Sequence, residues 1–277
     1  AATATTVTVQ DVTPPTIGTL SGTYYLGEGG GSTASTRRIW RATATDGNGE
    51  HCGLATKKVS KTGNDWGSAT NYVDFDCSEL GPQTLYLQGT DAAGNVAEGS
   101  GTITIADNTN PTITAPATVN ANTSAYGGTC TIAATLLTLG TPTTSDNCSV
   151  GSVTNDAPST YATGTTLVTW TVTDGSGNTS TATQEVVVVE NQLPTISSVS
   201  SGLTESLSSA GGATIDASTY ITASDNCTAE GSLIYEVSET SGSGFATTFA
   251  ADCNDVGAKT FYFRVTDAAG NISSEAS

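Results

Sequence analysis

Basic residues are scarce in this sequence. Its 277 residues include 8 Lys and Arg against 26 Asp and Glu, which gives a formal net charge of −18. Nucleic acids and anionic lipid surfaces both require a basic face on the protein that binds them. The composition therefore excludes these two classes of partner and favours cations.

The residues and motifs on which most enzymes depend are also missing. His51 is the single histidine, and there is no G-x-S-x-G turn, no glycine-rich phosphate loop and no histidine-rich metal motif. The acidic residues recur at turns, where a catalytic cleft would have to be rebuilt each time. We therefore expect no enzymatic activity.

Long apolar stretches are absent too. Hydrophobic residues make up 36% of the chain and aromatic residues 6%, and no run is long enough to cross a membrane. No signal peptide opens the sequence, so we expect a mature or internal segment. Thr, Ser, Gly and Ala dominate, which favours short strands and turns over helices. The sequence predicts an all-β fold with almost no helix.

What the sequence does contain is a seven-residue turn that occurs three times, at 89–95, 172–178 and 265–271. Each copy ends in D-x-x-G-N, follows a run of alternating residues and precedes a second β-branched run, which is the pattern of a hairpin. The glycine can adopt positive φ, and the flanking Asp and Asn can hold the loop by hydrogen bonds. Three copies predict three repeats.

A second pattern, [DE]-x-x-x-P-T-I, begins at Asp11, Asp107 and Glu190, at intervals of 96 and 83 residues. These intervals match the size of an immunoglobulin-like sandwich. Proline fixes its own φ and biases the residue before it toward extended geometry, so the junctions should be short and semi-rigid. We expect each such segment to be a linker between repeats.

These two patterns divide the chain. Residues 1–10 form the last strand of a preceding repeat, because TATTVTVQ at 3–10 matches the outgoing strands 101–106 and 183–189. Residues 11–106 are repeat 1, 107–189 repeat 2 and 190–277 repeat 3. The hairpin Asp precedes the next linker acid by 16 residues in repeats 1 and 2, so repeat 3 ends inside its final strand. We expect the chain to be part of a longer protein.

A third recurrent turn, S-D-N-C, occurs at 145–148 and 224–227, with a longer version at 44–52. In an immunoglobulin-like sandwich this turn, the linker and the last hairpin lie at the same pole, so three acids meet there. They repel each other by roughly several kcal/mol unless a cation intervenes. Calcium takes six to eight oxygen ligands, so we predict calcium at every inter-repeat junction. The predicted ligands are Asp11, Asp46, Asp91 and Asn95; Asp107, Asp146, Asp174 and Asn178; and Glu190, Asp225, Asp267 and Asn271. The alternative is that these residues only build exposed Asx-turns.

Six cysteines fall two to a repeat, without a C-x-x-C motif. This distribution favours disulfides in an oxidising compartment over metal thiolates. Their arrangement predicts the pairs Cys52–Cys77, Cys130–Cys148 and Cys227–Cys253, each worth roughly 3 kcal/mol on the chain-entropy model. The alternative is reduced, buried thiols.

The run 37–41, R-R-I-W-R, allows two interpretations. It places an aromatic side chain beside cations, as a site for glycans or anionic polymers does. Alternatively Ile39 or Trp40 points into the core and the arginines coat one strand face. We favour the strand, and we expect Trp170 to be a core residue of its own sandwich.

Several of these motifs resemble a known family. The S-D-N-C turn with Cys130, followed by YATGTTLVTWTVTDGSGN at 161–178, resembles the HYR (hyalin repeat) module, an extracellular immunoglobulin-like domain. FDCSELG at 75–81 and ADCNDVG at 251–257 resemble relatives that occur in tandem in large surface adhesins of Bacteroidota, of the SprB gliding-motility type, exported by type IX secretion. Repeat 2 departs from the family in lacking a late cysteine and in having Glu190 at the linker.

Together the sequence predicts tandem immunoglobulin-like (HYR-like) β-sandwiches arranged as an elongated rod. The resemblance implies the stalk of an adhesin filament outside the cell, attached to the outer membrane, that serves adhesion and gliding. The expected partners are neighbouring repeats, surface glycans or abiotic surfaces bound through other parts of the protein, and the secretion and motility machinery. Two alternatives stay open: a spacer or carbohydrate-binding module of a secreted enzyme, and a self-assembling surface sheath.

Overall fold

The computed structural model of the protein describes residues 8, 10–28, 32–40, 44, 45, 54–202 and 204–277. Two residues with sequence-based predictions, Asp46 and Cys52, lie outside these ranges. Strands and turns dominate the described residues, and the one α-helix among them is the four-residue Ala217–Tyr220 (α1). None of their helices is long and apolar enough to span a bilayer. The prediction of an all-β fold is confirmed.

The strands follow the predicted repeats in chain order. Repeat 1 contains β1 (Thr16–Ile17), β2 (Thr23–Tyr25), β3 (Thr36–Trp40), β4 (Ala44–Thr45), β5 (Leu54–Ser60), β6 (Tyr72–Asp76), β7 (Gly81–Asp91) and β8 (Val96–Ala106). Repeat 2 contains β9 (Thr112–Thr114), β10 (Val119–Asn122), β11 (Thr131–Ala133), β12 (Thr143–Ser145), β13 (Val150–Asn155), β14 (Thr160–Ala162), β15 (Gly164–Asp174) and β16 (Thr179–Val189). Repeat 3 contains β17 (Thr195–Val199), β18 (Ala213–Asp216), β19 (Ile221–Ser224), β20 (Ile234–Ser238), β21 (Thr248–Ala251) and β22 (Tyr262–Thr266).

The chain falls into two compact units. The first comprises Ala1–Thr114, Thr143–Thr154 and Thr171–Thr181, and the second comprises Ala115–Pro142, Asn155–Trp170 and Ala182–Ser277. All strands of predicted repeat 1 belong to the first unit and all strands of predicted repeat 3 to the second. The division into three repeats stays a prediction.

In the first unit a four-stranded sheet has the order β2-β8-β7-β5. The hairpin of β7 and β8 is antiparallel from Gly81 opposite Ile105 to Thr90 opposite Val96. Strand β2, near the start of the repeat, pairs in parallel with the end of β8. Strands β1 and β4, β3 and β6, and β9 and β12 form two-stranded ladders. The predicted hairpin around Asp91 is confirmed.

Pairs of strands also build the second unit: β11 with β14, β17 with β19, β18 with β21, and β20 with β22.

A second four-stranded sheet, built by strands of predicted repeat 2, has the order β10-β16-β15-β13. In this sheet β10 pairs in parallel with the end of β16, as β2 does with β8. In both four-stranded sheets, a strand from the start of the repeat forms one edge and pairs in parallel with the last strand of the repeat. This shared arrangement supports an immunoglobulin-like topology.

Alternating side chains supply the cores. In the first unit Leu26, Ile39, Phe75, Leu85, Ile103 and Ile105 are buried together, and in the second unit Ile215, Ala217, Ile221, Ala223, Leu233, Val237, Phe263 and Val265 are. Trp170 is 7% exposed between buried Val168 and Val172 of β15, as predicted. Since every second residue of a strand faces the same side, the period-2 runs of the sequence are the core-facing runs of the fold.

The strand interpretation of residues 37–41 is confirmed for Ile39, which is 4% exposed. The Arg38 guanidinium forms a bidentate ion pair with Asp74, with nitrogen–oxygen distances of 2.7 and 2.8 Å, and lies over the ring of Tyr72. Arg37 lies over the ring of Tyr24. Both arginines thus cover strand faces of their own domain.

The predicted pairing of cysteines is wrong. Disulfides join Cys77 to Cys148 and Cys130 to Cys227, with Cα–Cα distances of 5.4 and 5.0 Å, and Cys253 is an exposed free thiol. The predicted pair Cys130–Cys148 does not form because Cys148 is bonded to Cys77 and Cys130 to Cys227. The pairs with Cys52 and Cys253 do not form because their predicted partners, Cys77 and Cys227, are bonded elsewhere. The disulfides therefore connect sequence segments of successive predicted repeats.

Candidate cation sites

Three loops bring carboxylates together in the first unit. Asp107 follows the end of β8, Asp146 lies in the S-D-N-C turn after β12, and Asp174 ends β15 at the D-x-x-G-N hairpin. One carboxylate oxygen of each lies within 4.8 Å of the others. Asp107 and Asp174 are buried and Asp146 is half-buried. We call these three residues the first carboxylate cluster.

The hairpin fixes Asp174. Its Oδ1 accepts hydrogen bonds from the backbone nitrogens of Ser176 and Asn178, both at 2.8 Å, and its Oδ2 accepts one from Asn178 Nδ2. Gly177 supplies the left-handed backbone, with φ of +93°, that this turn requires. Burial raises the pKa of Asp174, but the hydrogen bonds from Asn178 and the loop amides outweigh it, so the pKa lies below its ordinary value. The residue is an anion at neutral pH.

Asp107 and Asp146 each have one oxygen that accepts hydrogen bonds from nearby residues and one that does not. Asp146 Oδ2 accepts from the backbone nitrogens of Cys148 and Ser149 at 2.9 and 3.0 Å, and Asp107 Oδ1 accepts from that of Thr109 at 3.0 Å. Asp107 Oδ2 and Asp146 Oδ1 are buried without a hydrogen-bond partner among the described residues. An unpaired buried carboxylate oxygen is costly, so this arrangement favours a bound cation.

Asn147 is a further cluster residue that the sequence analysis missed. Its Nδ2 donates to Asp107 Oδ1 at 3.2 Å and to the backbone oxygen of Ala34 at 3.1 Å, while its Oδ1 is buried without a partner among the described residues. The repeated S-D-N-C motif, with Asn226 at the same position, was the available signal. This amide oxygen adds a neutral candidate ligand to the three carboxylates.

A second carboxylate cluster, in the second unit, comprises Glu190, Asp225 and Asp267. Oxygens of the three also lie within 4.8 Å of one another, and Glu190 and Asp267 are buried. Asp225 Oδ2 accepts from the backbone nitrogens of Cys227 and Thr228, both at 2.8 Å, and its Oδ1 is buried without a partner among the described residues. The S-D-N-C turn therefore presents its aspartate in the same way in both clusters.

In the second cluster the pKa values of the two buried acids, Glu190 and Asp267, are shifted in opposite directions. Burial, together with the neighbouring carboxylates of Asp267 and Asp225, raises the pKa of Glu190 above its ordinary value. Burial also acts to raise the pKa of Asp267, but hydrogen bonds from Asn271 and others outweigh it, and the pKa is lowered. Two acids in contact with opposite shifts indicate strong repulsion, which a cation would relieve.

The predicted third group is only partly described, because Asp46 lies outside the described residues. Asn95 Nδ2 donates to the backbone oxygen of Asp11 at 3.1 Å and to Asp91 Oδ2 at 2.8 Å, so the linker and the hairpin do meet. Asp11 Oδ1 accepts from Thr13, and its Oδ2 is buried without a partner among the described residues. Asp11, Asp91 and Asn95 thus repeat the geometry of Asp107, Asp174 and Asn178.

The three hairpin asparagines act first as positioning residues. Asn178 Nδ2 donates to the backbone oxygen of Asp107 at 3.2 Å, as Asn95 does to that of Asp11, whereas Asn271 Nδ2 donates to the Glu190 carboxylate. Glu190 has one methylene more than Asp107, so its carboxylate reaches the asparagine. That Asn95, Asn178 and Asn271 are themselves cation ligands stays a prediction.

The chemistry of both clusters fits calcium. Two oxygens on opposite sides of a calcium ion, each at 2.3–2.6 Å, are about 4.6–5.2 Å apart. In each cluster one oxygen of every acid lies within 4.8 Å of the other two, so one calcium ion could contact all three. The Asx-turn hydrogen bonds of the alternative interpretation are present, but they account for one oxygen of Asp107, Asp146 and Asp225 and leave the other unpaired.

The fold and these sites define the class of the protein: an all-β chain of tandem immunoglobulin-like domains with carboxylate clusters at the loops. No protein-family model and no curated protein matches the sequence. Among solved structures the chain is similar to extracellular cadherin domains 1–4 of protocadherin gamma B7, at 12% identity and a TM-score of 0.32 over 95% of this chain and 75% of that one.

Two further solved structures are similar at the same level. Domains EC22-24 of mouse cadherin-23 have 16% identity and a TM-score of 0.33 over 91% of each chain. Sidekick-1 immunoglobulin domains 1–4 have 9% identity and a TM-score of 0.32 over 95% of this chain and 73% of that one. At this similarity we draw no conclusion about ligands or activity from them.

Proposed function

We propose that this chain is a structural segment of an extracellular stalk whose carboxylate clusters bind calcium and stiffen the chain. The observation that carries the proposal is the convergence of three acids in each cluster, with buried, unpaired oxygens on Asp107, Asp146 and Asp225. Calcium sites of extracellular modules bind with dissociation constants of about 10⁻⁴–10⁻³ M, which suits an ion that is permanently available outside the cell.

The disulfides support the extracellular part of the proposal. Bonds such as Cys77–Cys148 and Cys130–Cys227 persist in oxidising compartments. Each connects one predicted repeat to the S-D-N-C turn of the next, which also supplies an aspartate of a carboxylate cluster. Covalent bonds and cations would then hold the same loops, which would stiffen a stalk.

The cellular role follows from the sequence resemblance. We propose that the stalk belongs to a rod-like surface adhesin of a gliding bacterium, exported by type IX secretion and attached to the outer membrane. Its adhesive contacts with glycans or abiotic surfaces would lie in other parts of the protein. The net charge of −18 makes binding to nucleic acid or to anionic lipid unfavourable and keeps such filaments apart from one another.

Thermal unfolding in calcium and in chelator tests the cation sites. At 10 mM calcium, a dissociation constant of 10⁻⁴–10⁻³ M gives about 1.4–2.7 kcal/mol of stabilisation per site. We expect the melting temperature to rise by several degrees relative to EDTA at equal ionic strength. Asp146→Asn and Asp225→Asn should each remove part of this rise, since the amide still caps the turn but lacks the charge.

Glu185→Gln is the matched control, because Glu185 is an exposed acid on β16 outside both clusters. It should leave the calcium-dependent rise unchanged. Identical melting curves of the native chain in calcium and in EDTA would rule out the cation sites and with them the stiffening of the stalk.

A further inference from the structure

One strand of predicted repeat 2 has an uncovered outer edge. Strand β13 (Val150–Asn155) lies at the end of the sheet β10-β16-β15-β13, so β15 is its one neighbour in that sheet. All six of its residues are exposed, and Val150 and Val153 are 36% and 38% exposed. No isolated bridge joins β13 to another segment among the described residues. The backbone groups along its outer edge are therefore open to solvent.

The corresponding strands of repeats 1 and 3 are covered. Strands β5 and β20 lie beside β7 and β22 as β13 lies beside β15. Val59 of β5 donates a backbone hydrogen bond to Thr70 at 2.9 Å, and Val237 of β20 exchanges two with Ala246, at 2.7 and 3.1 Å. In both repeats, the segment that follows the strand folds back along its outer edge.

The length of the following connection explains the difference. Strand β5 ends at Ser60 and β7 begins at Gly81, so twenty residues lie between them. Strand β13 ends at Asn155 and β15 begins at Gly164, so eight residues lie between them, and three of these form β14, which pairs with β11. The connection in repeat 2 is too short to cover β13 as well.

The edge of β13 also lacks the side chains that keep sheet edges from pairing with other chains. Charged residues, especially lysine, and proline protect exposed edges in natural sheets. Strand β5 carries Lys57 and Lys58, and β20 carries Glu236, whereas β13, VGSVTN, has neither a charged residue nor a proline. An edge of this kind is a template for an added strand.

Strands β13 and β15 are antiparallel. Ser149, just before β13, accepts a backbone hydrogen bond from Gly175, just after β15, at 3.2 Å. Asp156, just after β13, donates one to Thr169 of β15, also at 3.2 Å. The residue numbers of these partners run in opposite directions, and hydrogen-bonded positions alternate along an antiparallel ladder.

This alternation identifies the free backbone groups. Asp156 bonds to β15, so Thr154, two residues earlier, also faces β15. Val153 lies between two such positions and directs its N–H and C=O to the outer edge. Neither group has a backbone partner across that edge among the described residues. Val153 is therefore the centre of the open edge.

The charges of repeat 2 favour a basic partner. Repeat 2 contains five acids and no Lys, Arg or His. The acids are Asp107, Asp146, Asp156, Asp174 and Glu185. Asp146 precedes β13 by four residues, and Asp156 follows it directly. A divalent ion at the first carboxylate cluster would change the formal charge of repeat 2 from −5 to −3, so the repeat stays negative with or without calcium.

We propose that the outer edge of β13 binds an extended, basic peptide segment of a partner protein, which adds to the sheet as a fifth strand. Backbone hydrogen bonds with Val153 supply affinity, and cationic side chains of the partner face the acids at both ends of the strand. A second copy of this chain fits less well, because antiparallel pairing of β13 with itself would bring Asp146 and Asp156 of the two copies together. The proposal goes beyond the stalk and does not depend on bound calcium.

Fluorescence anisotropy with a labelled peptide tests the edge. The probe K-V-T-V-K-V-K places its lysines and valines on opposite faces of a strand. We expect one peptide to bind per 277-residue chain, both in calcium and in EDTA. Binding should slow hydrogen exchange of the Val153 amide but not of the Thr154 amide, which is already paired in the free chain.

Two control peptides separate strand addition from charge attraction. The same peptide with methyl groups on two adjacent central backbone nitrogens keeps its charge but cannot pair in either register. The peptide E-V-T-V-E-V-E can pair but has the opposite charge. Each should bind at least about tenfold more weakly than the probe.

Val153→Lys and Val153→Glu are a matched pair of chain variants. Both place a charge at the same exposed position, so both should melt at the same temperature. Val153→Lys should weaken binding of the probe at least about tenfold, because it repels a basic strand, whereas Val153→Glu should bind at least as tightly as the native chain.

Four results would overturn the proposal. They are no binding at millimolar probe, equal binding of the methylated peptide, equal effects of Val153→Lys and Val153→Glu on binding, and protection of the Val153 amide by self-association of the native chain. The last result would assign the edge to a second copy of this chain. None of these results bears on calcium-dependent melting, so the stalk proposal is tested separately.

Discussion

At the scale of single residues, the two oxygens of a cluster aspartate differ in their contacts. One oxygen of Asp146 caps the S-D-N-C turn, and the other is buried without a hydrogen-bond partner among the described residues. The turn is therefore held by its own hydrogen bonds, and the second oxygen stays available to a ligand. This division explains how a loop that is stable by itself can also be a pre-organised ligand.

Gln184 is a deeply buried polar side chain, at 1% exposure, and both its Oε1 and its Nε2 are hydrogen-bonded. Its Oε1 accepts from Trp170 Nε1 at 3.0 Å, and its Nε2 donates to the backbone oxygens of Ala117 and Leu139 at 2.8 and 2.7 Å. One side chain thus joins two loops to the core strand β15. Gln184 occupies a core-facing position of β16, like the buried Val186 and Val188, and differs from them in having a polar side chain.

Gln184→Leu should therefore destabilise the chain strongly. The substitution leaves one indole nitrogen and two backbone oxygens buried and unpaired, each of which costs about 1–3 kcal/mol. Urea unfolding should show a loss of at least about 3 kcal/mol, whereas Gln83→Leu on a half-buried position of β7 should cost less. A loss below about 1 kcal/mol for Gln184→Leu would contradict the assigned network.

The raised pKa of Tyr220 predicts that the folded chain loses stability at alkaline pH. Burial, the hydrogen bond that its hydroxyl donates to Glu205 and the charge of Glu205 raise its pKa to about 12. A pKa that is higher in the folded state means that this stabilisation is complete below the ordinary pKa near 10 and is lost as the pH rises through 12.

The melting temperature of the native chain should therefore fall more steeply between pH 10 and 12 than that of Tyr220→Phe. Glu205→Gln should move the ionisation of Tyr220 toward lower pH, because it removes the negative charge. Absorbance titration at 295 nm measures this ionisation. Superimposable pH–melting curves for the native chain and Tyr220→Phe would show that the tyrosine is not perturbed.

At the scale of elements, the hairpins were predictable because all their determinants are local. Asp174, Gly177 and Asn178 lie within five residues, and the same turn forms around Asp91 and Asp267. The short 3₁₀ turns at Cys77–Glu79 and Cys253–Asp255 were missed, although each has a capping box, Asp76 with Glu79 and Asp252 with Asp255. An acidic residue at the cap and another three residues later was the signal.

The disulfides could not be predicted from spacing, because their partners lie 71 and 97 residues apart in the sequence. Proximity along the chain favoured Cys130–Cys148, but the S-D-N-C turn brings Cys148 beside the 3₁₀ turn of Cys77 instead. The clusters were predictable as sets of acids, because the common pole of the loops follows from the fold. Asn147 and the unpaired oxygens depend on side-chain orientation, which the sequence does not specify.

Peptide mapping without reduction checks the connectivity. We expect cross-linked peptides that contain Cys77 with Cys148 and Cys130 with Cys227. On the chain-entropy model, loops of this length contribute about 4–5 kcal/mol each. The double variant Cys77→Ser/Cys148→Ser should therefore melt well below the native chain and should bind calcium several-fold more weakly, because Asp146 lies next to the lost bond.

Cys253→Ser is the control for this experiment, since Cys253 is exposed and free. Its melting temperature and calcium affinity should equal those of the native chain. A Cys130–Cys148 cross-link in the native protein would refute the connectivity, and unchanged calcium affinity in the double variant would separate the disulfide from the carboxylate cluster.

At the scale of the whole molecule, charge is the dominant physical property. With a net charge of −18 and 8 basic residues, the chain has few cationic side chains that could neutralise its carboxylates. Monovalent salt screens such repulsion over a Debye length of about 8 Å at physiological ionic strength, but it does not bridge oxygens a few ångströms apart. A divalent ion at each cluster would offset the charge of the acids and would join loops that are distant in the sequence.

Solution scattering should detect whether calcium joins the loops at each carboxylate cluster. We expect calcium to narrow the distribution of interatomic distances and to fix an elongated maximum dimension, whereas EDTA with matched monovalent salt should give a broader distribution. The double variant Asp146→Asn/Asp225→Asn should resemble the EDTA sample even in calcium. Lateral oligomers of the native chain would instead favour a sheath, since side-by-side packing of chains with this charge requires large interfaces that an isolated stalk does not need.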